Sequence, residues 1–115
     1  MADLLVATDV LIDHLRGARR LTTRGDAFYS VITRAELFAG RDADEAGLRR
    51  LLEPFGELPV DRRVAELGGR VRRQVGLALP DELIAATGIH HRLALATRNR
   101  RHFERVPRLR LRDLR

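Results

Sequence analysis

The stretch LLVATDVLIDHL, Leu4 to Leu15, decides the fold. Leu4-Leu5-Val6-Ala7 is an unbroken apolar run, the pattern of a strand buried on both faces. Thr8 is then placed to cap a helix, Asp9 suits its positive first turn, and Gly17 suits its end. A buried strand running straight into a helix opens a parallel α/β unit. The end of such a strand is where these folds gather ligand-binding groups. The residue at that junction is Ala7, which carries no charge.

The same grammar recurs downstream. Ala27 to Ile32 reads as a second strand, and Thr33-Arg34-Ala35-Glu36 fits a capping box opening a helix that Gly40 follows. Asp42 to Glu45 can open another helix with Leu48, Leu51, Leu52 and Phe55 on its apolar face, interrupted by Pro54 and Gly56. Glu57 to Val60 is a weaker strand candidate. Asp61 caps a helix carrying Val64, Leu67, Val71 and Val75 on one face. Gly68 and Gly69 lie inside it and lower its helix propensity, which suggests close approach of another backbone. Pro80 or Asp81 starts the helix DELIAATGIHH. Leu93 to Ala96 is a further strand, Thr97 and Asn99 offer caps for a short helical turn, and Leu109 to Arg112 alternates as a final half-exposed strand. Strands separated by helices imply an α/β fold, a mostly parallel central sheet flanked by helices. The length of 115 residues suits one domain, 1–115.

Composition narrows the function. The formal net charge is +6, and every basic residue apart from the histidines is arginine. GC-rich coding is one sufficient cause of that bias. The charge itself favours a polyanionic partner such as RNA, DNA or an acidic protein segment. Absence of lysine excludes Schiff-base chemistry, the Walker-type phosphate loop and a lysine-dependent receiver domain. Absence of cysteine excludes disulfides and thiolate zinc sites and fits a reducing, cytoplasmic compartment. The opening MADLLVATDV has no basic segment and carries Asp3, so no signal peptide is expected. No apolar run approaches the ~20 residues of a membrane span.

Asp9, Glu36 and Asp81 each fall near the start of a helix, and Thr97, Arg98 and Asn99 follow a strand. In a parallel sheet these groups face one another across one edge. Each acid has an ordinary explanation, since acids favour the positive end of a helix dipole. Their coincidence suggests more. Clustered carboxylates need a cation, and all-oxygen ligands suit magnesium or manganese, which activate water against a phosphodiester.

At this point ATDVLIDHLRG, SVITRAELFAG, PDELIAAT and LALATRNRRHFERVPRLRL resemble, in order, the blocks of PIN-domain proteins. The similarity is strongest to the VapC type, the ribonuclease toxins of bacterial toxin–antitoxin pairs, and loosest between Arg41 and Leu79. The resemblance implies an acidic pocket holding Mg2+ or Mn2+, endoribonuclease activity, a homodimer, and inhibition by a VapB-like antitoxin. Glu36 falls on the family's second acid and Asp81 on its third. Asp9 falls on the companion of the first acid, and Thr8 and Asn99 on polar residues lining the pocket. Two positions depart. The first acid, a principal metal ligand, is Ala7, and a methyl group holds no metal. A frequent fourth acid is His102, suited to contacting phosphate. The otherwise intact pattern implies a parent sequence with aspartate at position 7 and a silenced chain here. The alternative is a non-catalytic PIN-like protein that binds RNA or antitoxin.

Other features have plainer readings. The arginine-rich segment from Arg98 to Arg115, with only Glu104 and Asp113 as acids, suits RNA phosphates, a solvated face or acidic antitoxin residues. Aromatics are too few for stacking to dominate RNA binding. His90 and His91 suit a helix C-terminus, and His14 suits the surface. Phe38, Leu48, Leu51, Leu52 and Phe55 are core residues that can also contribute to a groove for a partner helix.

Overall fold

The computed structural model describes residues 3–17 and 26–113. Its elements alternate: β1 (Leu4–Val6), α1 (Thr8–Leu15), β2 (Ala27–Ser30), α2 (Val31–Phe38), α3 (Glu45–Leu52), β3 (Gly56–Leu58), α4 (Arg62–Val75), α5 (Leu79–His91), β4 (Ala94–Ala96), α6 (Arg100–Phe103) and β5 (Leu111–Arg112). All strand pairs are parallel and the sheet order is β3-β2-β1-β4-β5. β1 is central, and its three residues are fully buried, which explains why its sequence is apolar throughout rather than alternating.

The chain moves outward from β1 through β2 to β3, then crosses to the other side of β1 to form β4. The order of strands therefore reverses between β1 and β4. In open parallel sheets the crevice beyond the carboxyl ends at such a reversal is the preferred ligand position. The fold places that crevice at Ala7 and Thr97.

Two layers of packing hold the sheet. On one, Leu4, Val6, Val10, Leu11, Leu37, Leu48 and Leu52 form a buried cluster. On the other, Leu5, Ala7, Ile84, Ala85, Leu95, Phe103 and Val106 bring α5 and α6 onto β1 and β4. Each fully buried leucine contributes about 1.5–3 kcal/mol by leaving water. α5 is apolar almost all round because it lies between the sheet and α4. Gly68 of α4 permits that contact: a Cβ there would lie 2.9 Å from Leu83 Cδ2, as its placement in the sequence suggests. Gly69 faces open space and has no such role.

The first helices begin differently from the sequence reading. Thr8 is not the cap of α1; Ala7 holds the N-cap position, and the Thr8 hydroxyl is spent elsewhere. α2 starts at Val31, capped by Ser30, whose side chain accepts from the Ile32 N–H. Thr33 is therefore inside the helix and fully buried, so no capping box exists there. Asp44 and Asp61 do cap α3 and α4, accepting from the N–H groups of Gly47 and Val64. The Val64 bond is the main cause holding the Asp61 carboxyl below its ordinary range. β3 lies one residue earlier than Glu57, and β5 is shorter than the alternation suggests. At the β2–β3 flank, the buried Tyr29 hydroxyl donates to Glu57, and Arg34 Nε donates to Glu57 at 2.6 Å. No helix among the described residues is long and apolar enough to cross a membrane.

Candidate active site

The carboxyl edge of the sheet collects the residues singled out in the sequence, and each acid there already has a partner. Glu36 lies in the second turn of α2. Its Oε1 accepts from Thr8 Oγ1 at 2.7 Å, and Thr8 Oγ1 also meets the buried Thr33 Oγ1 at 2.9 Å. The chain Glu36–Thr8–Thr33 thus ties α1 to α2. Asp9 spans the crevice at the strand reversal. It accepts from Thr97 Oγ1 at 3.2 Å and from the Arg98 N–H at 3.0 Å. Thr97 Oγ1 in turn accepts from the Asn99 N–H. Asp81, in the first turn of α5, pairs with His102 of α6, Nε2 to Oδ2, at 2.8 Å. The N-cap of α5 is Ala78, so Asp81 is not its cap.

Ala7 stands at the end of β1, immediately before α1. It is 4% exposed and belongs to the apolar cluster that also holds Ile84, Ala85 and Phe103. Its main chain is fully used: the N–H donates to Ala96 and the carbonyl accepts from Val10 and Leu11. α2 and α5, which carry Glu36 and Asp81, pack against each other. The two acids therefore approach one edge from neighbouring helices, although 45 residues separate them in the chain.

The expected metal centre does not fit this donor set. Among the described residues, no three histidine, cysteine, aspartate or glutamate groups come together as a metal site. Glu36 is taken up by Thr8, Asp81 by His102, and Ala7 offers no donor. Arg98, expected to face substrate, forms an ion pair with Asp13 and remains 40% exposed. Asn99 stands at the N-cap of α6 but makes no side-chain cap bond. His102 contacts Asp81 directly.

Three polar residues carry roles that the sequence reading missed. Thr33 and Asp13 fix Thr8 and Arg98; the only signal was a polar residue on a helix face turned toward the sheet. Glu82, beside Asp81, is 3% exposed, its Oε2 has no hydrogen-bond partner, and Arg72 Nε stands 4.0 Å away. The all-apolar surroundings of α5 predict that any residue at that position is buried.

A groove of about 490 Å3 leads away from Glu36 between α1, α2 and α3, with Ile12, Leu15, Leu37 and Leu48 as its apolar lining. The sequence-predicted groove is corrected here. Leu52 is buried in the core, and Phe38, Leu51 and Phe55 pack against that core rather than lining the opening. Of that set only Leu48 lines it. His90 and His91 do lie in the last turn of α5, their rings edge-on at 4.8 Å, and burial lowers the pKa of His91. His14 is half-buried rather than a surface residue.

Comparison with known proteins adds four findings. The PIN domain model matches residues 5–109. Ribonuclease VapC10 of Mycobacterium tuberculosis is 41% identical over 113 residues, covering 87% of this chain and 85% of that protein. Among solved structures, a toxin–antitoxin complex from Klebsiella pneumoniae aligns with 30% identity and a TM-score of 0.75, covering 92% of this chain and 94% of the matched one. VapBC2 of Rickettsia felis, bound to a DNA fragment from its promoter, reaches a TM-score of 0.85 at 18% identity, covering 98% and 99%, a likeness of fold.

Proposed function

We infer the function from one premise: this chain belongs to the PIN-domain family and, within it, to the VapC type. It is a metal-dependent endoribonuclease toxin of a type II toxin–antitoxin pair, disabled here at Ala7. The observation that carries this reading is the arrangement at the strand reversal. Glu36 and Asp81 sit on packed helices, Asp9 of α1 bonds to Thr97 and Arg98 just after β4, and the methyl of Ala7 stands at the end of β1. Aspartate at position 7 would add the third carboxylate that a magnesium or manganese site needs. Without it, the chain holds its acids by hydrogen bonds alone, so it binds RNA poorly positioned for attack.

The antitoxin is a VapB-like segment. The groove beginning at Glu36 offers an apolar floor with Leu15 49% exposed beside it, the geometry that takes the apolar face of a helix. A second reading, binding without cleavage, is favoured for the literal chain by the Asp81–His102 pair.

The test is magnesium-dependent RNA cleavage by the purified chain before and after Ala7→Asp. Cleavage that appears only in the variant supports the reading. Strong cleavage by the chain as it stands refutes the silencing. A variant that folds and remains inert refutes the nuclease site itself.

A further inference from the structure

The opposite edge of the sheet holds a second concavity. It encloses about 310 Å3 and is lined by Gly88, Ile89, Arg92, Leu93, Arg108 and Arg110. α5 ends there, and β4 and β5 begin there. Its frame is fixed by hydrogen bonds. The Leu93 N–H donates to the Gly88 carbonyl at 2.9 Å, and the Leu95 N–H donates to the Arg110 carbonyl at 2.8 Å. Arg110 Nη2 donates to the Arg92 carbonyl at 2.6 Å, which orients that guanidinium and leaves its other donors available. Gly88 lets the wall close, since a Cβ there would meet Leu109 Cδ1 at 3.0 Å and the Leu93 carbonyl at 3.3 Å.

One observation distinguishes this cluster from the general arginine excess. Arg92 and Arg108 are the only non-glycine residues with positive φ among the described residues, at 57° and 69°. That conformation favours glycine. A GC-rich coding bias favours glycine codons as much as arginine codons, so it does not explain arginine at both. Both strained residues line the same groove. No carboxylate among the described residues pairs with Arg92, Arg108 or Arg110, a state they share with most other arginines of the chain, so their positive charge is not neutralised locally.

We propose that this groove binds a phosphodiester of RNA, as an anchor for substrate at the far end of the sheet from Ala7. Three arginines line it, Arg92 at the C-cap of α5 and Arg108 and Arg110 in the segment that leads into β5. A tetrahedral phosphate accepts from several directions at once, whereas a planar carboxylate takes one fork in its plane. Ile89 and Leu93 offer an apolar wall to the sugar or base. The anchor fixes a segment of RNA remote from the scissile bond and supplies affinity without reading sequence. It rests on the RNA reading given above.

The test is the binding of a fluorescein-labelled single-stranded oligoribonucleotide in EDTA, followed by anisotropy across a salt series. Arg92→Gly with Arg108→Gly removes two guanidinium groups while easing the backbone, so the fold survives; a thermal melt checks it. Arg70→Gln with Arg73→Gln removes equal charge from the exposed face of α4. The groove pair is expected to lose about tenfold in affinity, with the log–log salt slope shallower by roughly 1.4, at about 0.7 per phosphate contact. The α4 pair is expected to lose less than half of that on a logarithmic scale. Equal losses in both pairs, or none in the groove pair, overturn the proposal. So does unchanged RNA binding accompanied by loss of polyglutamate binding, which assigns the groove to an acidic protein. If the unaltered chain binds no RNA, the functional reading fails together with the groove. If it binds RNA and only the groove variants are silent, the groove alone fails.

Discussion

The two ends of the sheet treat charge in opposite ways. At the carboxyl end, three acids are each matched by a hydroxyl, an amide or an imidazole, and the strand itself ends in the methyl of Ala7. At the amino end, three arginines share a groove with no acid among the described residues, and two of them sit in backbone conformations that suit glycine. Composition reports only the sum of these, a positive chain. The sheet separates them, because α5 carries Asp81 at one end and Arg92 just beyond the other. The difference teaches that one end is locally satisfied and chemically incomplete, while the other is locally strained and open to an anion.

The sharpest way to break this contrast is at Ala7. Ala7→Asp is expected to raise magnesium-dependent RNA cleavage by at least about 100-fold, the scale of several kcal/mol that a metal supplies to a charged transition state. A smaller rise means that the carboxyl end lacks more than one carboxylate. Next is Thr8→Val, which leaves the buried Thr33 hydroxyl and one oxygen of Glu36 without Thr8. Urea denaturation is expected to show a loss of about 1–3 kcal/mol. Arg92→Gly should move stability the other way, raising it by about 1 kcal/mol as the left-handed strain is relieved. Loss of stability there would mean that the amino end is not strained in the sense described.

The smallest effect belongs to Glu57 on the β2–β3 flank. The hydrogen bond from Arg34 holds its carboxyl below the usual carboxylate range. A depressed acid stabilises the fold fully above its unfolded pKa of 4.5, and this is lost as pH falls through the lower folded value. The pair is exposed, so solvent screening reduces the effect to about 0.5 kcal/mol. Glu57→Gln should lower stability by about that amount at neutral pH, match the parent at low pH, and so flatten the acid limb of the melting-temperature profile.

Much of this architecture was legible because burial on both faces of a parallel sheet forces continuous apolar strands. Leu4–Val6 and Ala94–Ala96 follow from that requirement alone. Asp44 and Asp61 were legible because their caps depend on neighbouring amides only. Thr8 and Thr33 were misread because each satisfies a local capping rule, yet the two hydroxyls meet across 25 residues of chain. Val31 and Ile32 continue the strand pattern, and only the Ser30 bond to the Ile32 N–H turns them into a helix. At the candidate site, the start of each helix marked where Asp9, Glu36 and Asp81 lie along the sheet. Their partners were invisible because Asp9–Thr97 and Asp81–His102 are long-range contacts that no local spacing encodes.

Ala7 illustrates how separable a scaffold and its chemistry become. Its amide and carbonyl are engaged by the main chain whatever side chain it bears, while its side chain lies 4% exposed in an apolar cluster, so a carboxylate there needs a cation to offset its burial. Alanine and aspartate codons differ by a single base. A single nucleotide can therefore put a charge at the end of β1, within the same strand-to-helix junction.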